Sequence, residues 1–255
     1  MTPRVRLVML LVGLAGVVVM LATALPELPG FGGHTHPYRD RAMTAAYHQS
    51  TANAVASVNF DQRAFDTFGE ETILIASVMG VAALVRRLPE EQRRERRQRG
   101  HVLESTRWAA TVFLPLTVLL GADVVTHGAI TPGGGFQGGA IAATGIHLLY
   151  LGGRYRLLER LRPLALFEVT EAAGLAGFLA VAVTGLAVAG SVLANFLPRG
   201  QLTQLLSAGT VPALNFAVGV AVASSIILLI AGFLEQALAI TGHRSDSQAD
   251  DEAAS

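Results

Sequence analysis

Cysteine is absent from this 255-residue chain, which removes disulfides, thiolate metal sites and iron–sulfur ligation together. Lysine is absent as well: all nineteen basic residues are arginine, a bias that reads as genomic base composition and carries little chemistry. Charge is scarce. Only 15% of the residues are charged, against about 25% in a soluble domain. No phosphate-loop, dinucleotide-binding or zinc-protease spacing occurs, so any part in energy conversion depends on partners or on ion gradients. What is present in quantity is apolar: 51% of residues are hydrophobic and the mean hydropathy is +0.47. The chain reads as an all-α polytopic membrane protein of the bilayer, with no cofactor, no bound metal and no nucleic-acid partner.

Six apolar spans can be drawn: 7–25, 72–85 (extended upstream through residue 65), 108–126, 136–153, 169–192 and 211–239. The second reaches spanning length only if Asp66, Glu70 and Glu71 sit at its polar rim. Arginine sets the orientation. Segments that alternate along the chain (before span one, 86–107, 154–162 and after span six) hold fifteen arginines, whereas the opposite segments hold only Arg39, Arg41, Arg63 and Arg199. That asymmetry predicts both termini in the cytoplasm of a cell-membrane protein. A basic start, an apolar stretch and Ala22-Thr-Ala24 also describe a signal peptide, although the long apolar stretch and five further spans favour retention.

Charge divides the chain. Residues 1–88 form a two-span N-terminal module, 89–105 a charged cytoplasmic linker, 106–240 a four-span domain and 241–255 an acidic, disordered tail. The linker pairs Glu90 with Arg94 and Glu95 with Arg99 at i,i+4, as a solvated helix or as a basic patch for headgroups or a neighbouring subunit. His34 and His36 could be mistaken for a metal pair, but two ligands without a third make a weak site.

The densest local signal lies between spans three and four. His127 and Pro132 precede Gly133, Gly134, Gly135, Phe136, Gln137, Gly138 and Gly139, five glycines in seven residues. Such a run permits positive φ and close backbone approach, at an entropic cost that packing must offset. It has two readings. Missing Cβ atoms could let spans three and four pack tightly, or N–H groups at the start of span four could face an ion. The positive helix end repels a cation, which favours packing.

This stretch closely resembles the signature of the B subunit of Mrp-type (Mnh) multisubunit cation/proton antiporters. The likeness runs from about Thr106 to Leu238 through Leu114-Pro-Leu116, Glu168-Val-Thr-Glu171-Ala-Ala-Gly174, Asn195-Phe-Leu-Pro-Arg-Gly200 and Gly219-Val-Ala-Val222. Upstream, Val58-Asn-Phe-Asp-Gln-Arg-Ala-Phe-Asp-Thr-Phe-Gly-Glu70 resembles the C-terminal end of the family's large A subunit. The chain departs from the family pattern at Ala129-Ile130, at Asp123 and at Glu71, an extra carboxylate beside the family-matching Glu70.

The resemblance implies an accessory, non-enzymatic transporter subunit that exports sodium in exchange for protons, with the other antiporter subunits as partners and Na⁺ and H⁺ as transported ions. Ionisable residues in spans should face protein or water, and Asp66, Glu70, Asp123, His147, Glu168 and Glu171 are candidates for the ion pathway. Asp66 and Glu70 lie at the outer rim, i,i+4 apart, and Asp123 and His127 share one face at the outer end of span three. Glu168 and Glu171 lie at the inner start of span five, and His147 lies about 16 Å into span four at helical rise. Rim carboxylates with a midplane histidine suit proton relay, and carboxylate oxygens suit sodium. Each could instead be a rim carboxylate hydrated by headgroup water, or a histidine bonded to a neighbouring helix, and His127 would support the glycine turn. The alternative host is a membrane-bound hydrogenase or another complex I-like redox-driven complex, in which the chain would be a scaffold or coupling subunit. A stand-alone transporter is disfavoured by the lack of inverted repeats.

Overall fold

The structure, a computed structural model, describes residues 3–28, 32–84, 102–161 and 163–253. The linker pairs Glu90–Arg94 and Glu95–Arg99 lie outside the described residues. Among the described residues there are helices and no strands. The chain divides into two compact units, 1–40 and 41–255. In the first, α1 (Pro3–Ala24) closes in a 3-10 turn at Leu25–Glu27, and residues 4–24 are all exposed. An unbroken apolar surface of this kind suits a helix surrounded by lipid or by another subunit. α2 (Pro37–His48) crosses the division between the units.

The second unit opens with a short helix, α3 (Ala54–Ser57), that runs through a π-helical turn, Val58–Gln62, into α4 (Ala64–Leu84). Then follow α5 (Glu104–Thr126), α6 (Gly135–Leu151), α7 (Tyr155–Leu161), α8 (Leu164–Ala189) and α9 (Val211–Ala253). Helix α9 is the axis of the bundle, with α6, α8 and α4 packed around it and α5 laid chiefly on α6. So α4, which sequence groups with the N-terminal module, is packed into the same unit as the four-span domain.

Among the described residues five helices are long and apolar enough to cross a membrane: α1, α4, α5, α8 and α9 over Val211–Phe233. The sixth expected span is α6, whose 17 residues extend only about 26 Å at helical rise. Its position between α5 and α9 explains how a shorter helix belongs to the bundle. α9 continues as helix through Ala253, into the tail that composition marks as disordered; beyond Gly242 that segment contains neither glycine nor proline to end it.

Two apolar clusters hold the unit. One joins Phe60, Phe178, Leu193, Val211, Leu214 and Val218, with the Phe68 and Phe178 rings 5.8 Å apart between centroids. The other joins Ile146, Leu149, Leu158 and Ile227 near the opposite helix ends.

Candidate ion-pathway site

The glycine turn is built by missing side chains. Gly133 and Gly134 have φ of +136° and +149°, a region L side chains rarely adopt. A Cβ on Gly138 would lie 2.5 Å from the Gly121 carbonyl oxygen on α5, and one on Gly139 would lie 2.7 Å from the Gly219 carbonyl oxygen on α9. The two faces of α6 therefore meet two different helix backbones directly.

Two asparagines clamp the turn. Asn53 Nδ2 donates to the Gly128 and Thr131 carbonyls, both at 2.8 Å, and its backbone N–H donates to the Ala129 carbonyl at 3.1 Å. From the other side, fully buried Asn215 accepts the Gly135 N–H at 2.8 Å through Oδ1. That N–H is one of the orphan donors of a helix N-terminus, and a protein side chain takes it. His127 Nδ1 lies 3.0 Å from Asp123 Oδ1, and its carbonyl accepts the Ile130 and Thr131 N–H groups. Pro132 and Gln137 are exposed, whereas Phe136 packs against the first apolar cluster.

The titratable candidates separate by face. Asp66 pairs with Arg63, and both Asp66 and Glu70 are exposed on α4. The next residue, Glu71, turns about 100° around the helix and is buried, 1% exposed. Across from it on α8, Glu171 is buried and accepts a hydrogen bond from Ser225 Oγ on α9. Glu71 and Glu171 are electrostatic neighbours. Below them a partly open cavity of about 220 Å³ is lined by Glu168 and Glu171 of α8, Val78 and Ala82 of α4, and Leu228 and Gly232 of α9. Glu168 is exposed and sits at this cavity. His147 is half-buried on α6 and does not line it.

Sequence reasoning singled out Glu70, set Glu71 at the polar rim where it is in fact buried, and passed over Ser225 and the two clamping asparagines. The heptad-like run Ala64, Thr67, Glu71, Val78, all buried, was the available signal for the inner face of α4. A further acid is Asp61, in the π turn outside the spans. Burial pushes its carboxyl above the usual 3.8, while the Asn195 side chain and Arg199 pull the other way.

Residues 105–228 match the family described as a domain related to the MnhB subunit of Na+/H+ antiporter. The uncharacterized protein MJ1307 of Methanocaldococcus jannaschii is 31% identical over 204 residues, 69% of this chain and 74% of that protein. The chain belongs to the MnhB-related family.

The MnhB-related chain is also similar to a chain of the membrane-bound sulfane sulfur reductase, an archaeal respiratory membrane complex. That match has a TM-score of 0.68 and 27% identity, and it covers 90% of this chain and 98% of the other. A chain of the Mrp complex from Dietzia sp. DQ12-45-1b matches with a TM-score of 0.64 and 25% identity over 91% of this chain. The MnhB-related chain spans only 26% of that longer one. Both matches cover too much of the chain to stop at residues 105–228, so the shared fold takes in part of the region before the family domain.

Proposed function

We propose that the chain is an accessory membrane subunit of a multisubunit monovalent cation/proton antiporter, in which proton entry drives sodium export. The observation that carries this reading is the union of an MnhB-related domain with two buried carboxylates, Glu171 at a cavity within the domain and Glu71 on the helix packed against it. Carboxylates inside a membrane bundle are costly and mark routes for ions or protons. Coupling requires groups whose ion affinity differs between states with access to either side. Asp66 and Glu70 serve the outer entry, and Glu168 and Glu171 serve the cytoplasmic side. The partners are the other antiporter subunits, and the larger subunits carry the main proton flux. Asp123 with His127 stabilises the turn, and His147 is a candidate relay.

A second reading has its own support. The likeness to a respiratory reductase chain covers nearly all of that chain. In a redox-driven host the same subunit couples ion movement to electron transfer performed by other subunits, and has no redox chemistry of its own.

Gene deletion tests the proposal. Growth of the deletion strain in sodium at alkaline pH should collapse and should return with the wild-type gene but not with Glu171→Gln. Unchanged sodium tolerance after deletion would refute antiport in this host. Loss of growth on a respiratory electron acceptor, with sodium tolerance intact, would establish the redox-driven reading.

A further inference from the structure

Glu71 is an acid buried inside the bundle. Both of its carboxylate oxygens are buried without a hydrogen-bond partner among the described residues. Its electrostatic neighbours are two acids, Glu70 on its own helix and Glu171 on α8. Between Val211 and Phe233, α9 brings no charged residue to offset them. A carboxyl without donor or counter-ion persists in such a place as the uncharged acid.

Register places it relative to the cavity. The Phe68–Phe178 ring contact levels α4 with α8, and the cavity that joins the end of α4 to the start of α8 shows that they run in opposite directions. Counting from that contact at helical rise, Glu71 lies about 4.5 Å and Glu171 about 10.5 Å toward the cavity end. Their axial offset is therefore about 6 Å, and the two carboxyls are electrostatic neighbours of the kind a bridging water can connect. Glu171 touches the cavity and Glu71 does not. The order from the cavity inward is Glu168, Glu171, Glu71.

The ligand follows from the oxygen count. A hard cation gathers about six oxygens in its shell. Neither carboxyl oxygen of Glu71 meets a hydrogen-bonding group among the described residues, and Phe68, Leu74 and Val78 share its side of α4. A proton needs one oxygen. We propose that Glu71 is a proton-only site, loaded from the α4–α8–α9 cavity through Glu171, which Ser225 holds in place. The proton passes from the Glu171 carboxyl through a bridging water to the Glu71 carboxylate, and returns by the same route or continues toward Glu70. This rests on the reading of the chain as a subunit that moves ions, and it assigns sodium to another route.

N,N′-Dicyclohexylcarbodiimide, which modifies protonated carboxyls in apolar surroundings, tests it on the intact complex in native membrane vesicles. Mass spectrometry should find the adduct on Glu71, its yield falling as pH rises and unchanged by added sodium. Glu71→Gln should abolish that adduct and Glu71→Asp should keep it, both in complexes that still assemble on native gels. Glu171→Gln should leave the Glu71 adduct but slow proton uptake by the vesicles several-fold. Protection of Glu71 by sodium, or a wild-type complex without the Glu71 adduct, would overturn the proposal. The labelling does not depend on which gradient the complex uses. A labelled Glu71 with no sodium phenotype on deletion defeats antiport alone, and a sodium phenotype with an unlabelled Glu71 defeats the proton site alone.

Discussion

Asn215 Oδ1 on α9 accepts the Gly135 N–H at the first turn of α6, across 2.8 Å and eighty residues of sequence. Its own Nδ2 donates back to the Val211 carbonyl at 3.2 Å, so the amide is oriented from both ends. Asn215→Leu leaves a buried N–H without an acceptor, a loss of about 1–3 kcal/mol. Thermal unfolding in detergent should fall accordingly for Asn215→Leu, and less for Asn215→Asp, which keeps the acceptor. Equal melting of all three proteins would show that the clamp contributes nothing.

The glycines divide into two groups that one substitution series can separate. Gly138→Ala places a Cβ 2.5 Å from a carbonyl oxygen of α5 and should destabilise by about 1–3 kcal/mol or more. Gly80→Ala meets nothing within 4 Å and removes a helix-weakening residue, so the isolated chain should gain up to about 1 kcal/mol. Denaturation of the purified chain measures both. A destabilising Gly80→Ala would mean that another part of the chain fills that space.

Asp61 gives a pH dependence whose sign is fixed by its environment. Burial raises its carboxyl above 3.8 in the folded protein, so the folded state binds more protons than the unfolded state as pH climbs from there. Its contribution is greatest at low pH and declines through the window above 3.8 up to the folded value. Asp61→Asn should flatten that decline. Melting temperature followed against pH for both proteins reads the difference, and parallel curves would refute it.

Ser225 and Ser224 are neighbours on α9 with separate partners. Ser225 donates to Glu171, whereas Ser224 Oγ lies 2.8 Å from Thr170 Oγ1. Ser225→Ala should reduce cation-driven proton movement in vesicles, because Glu171 loses its donor. Ser224→Ala should leave that movement intact and lower stability by about 1 kcal/mol. Identical transport in both variants would remove Ser225 from the pathway.

The spans were legible because lipid demands long apolar stretches, and α4, α5, α8 and α9 begin or end close to the expected positions. α2, α3 and α7 were not, since helices too short to span carry no such signal. The glycine run was legible as a turn, but Asn53 and Asn215 were not, for each meets it from at least 75 residues away. Glu70 matches the family pattern, and Glu71 departs from it. The distinction rests on which side of α4 faces α8 and α9, and neighbours on a helix differ by about 100° there.

Orientation has a direct test in a chain without cysteine. Gln201→Cys, in the exposed segment between α8 and α9, should react with an impermeant maleimide from outside the cell, and Arg156→Cys only after the membrane is opened. The reverse pattern would invert the arginine-based topology.

The backbone contacts also sort the helices by how they can move. α5, α6 and α9 meet through Gly121, Gly138, Gly139 and Gly219, and α8 meets α9 through Gly174, whose added Cβ would sit 2.7 Å from the Ala217 carbonyl oxygen. Interlocked backbones of this kind resist rotation and sliding. On α4, a Cβ added at Gly69 or Gly80 would meet nothing within 4 Å among the described residues, and the helix meets α9 through side chains such as Val81 against Gly232. Shear between packed elements therefore falls on α4, and a shift of that one helix would carry Glu71 toward or away from Glu171 while the rest of the bundle stands still.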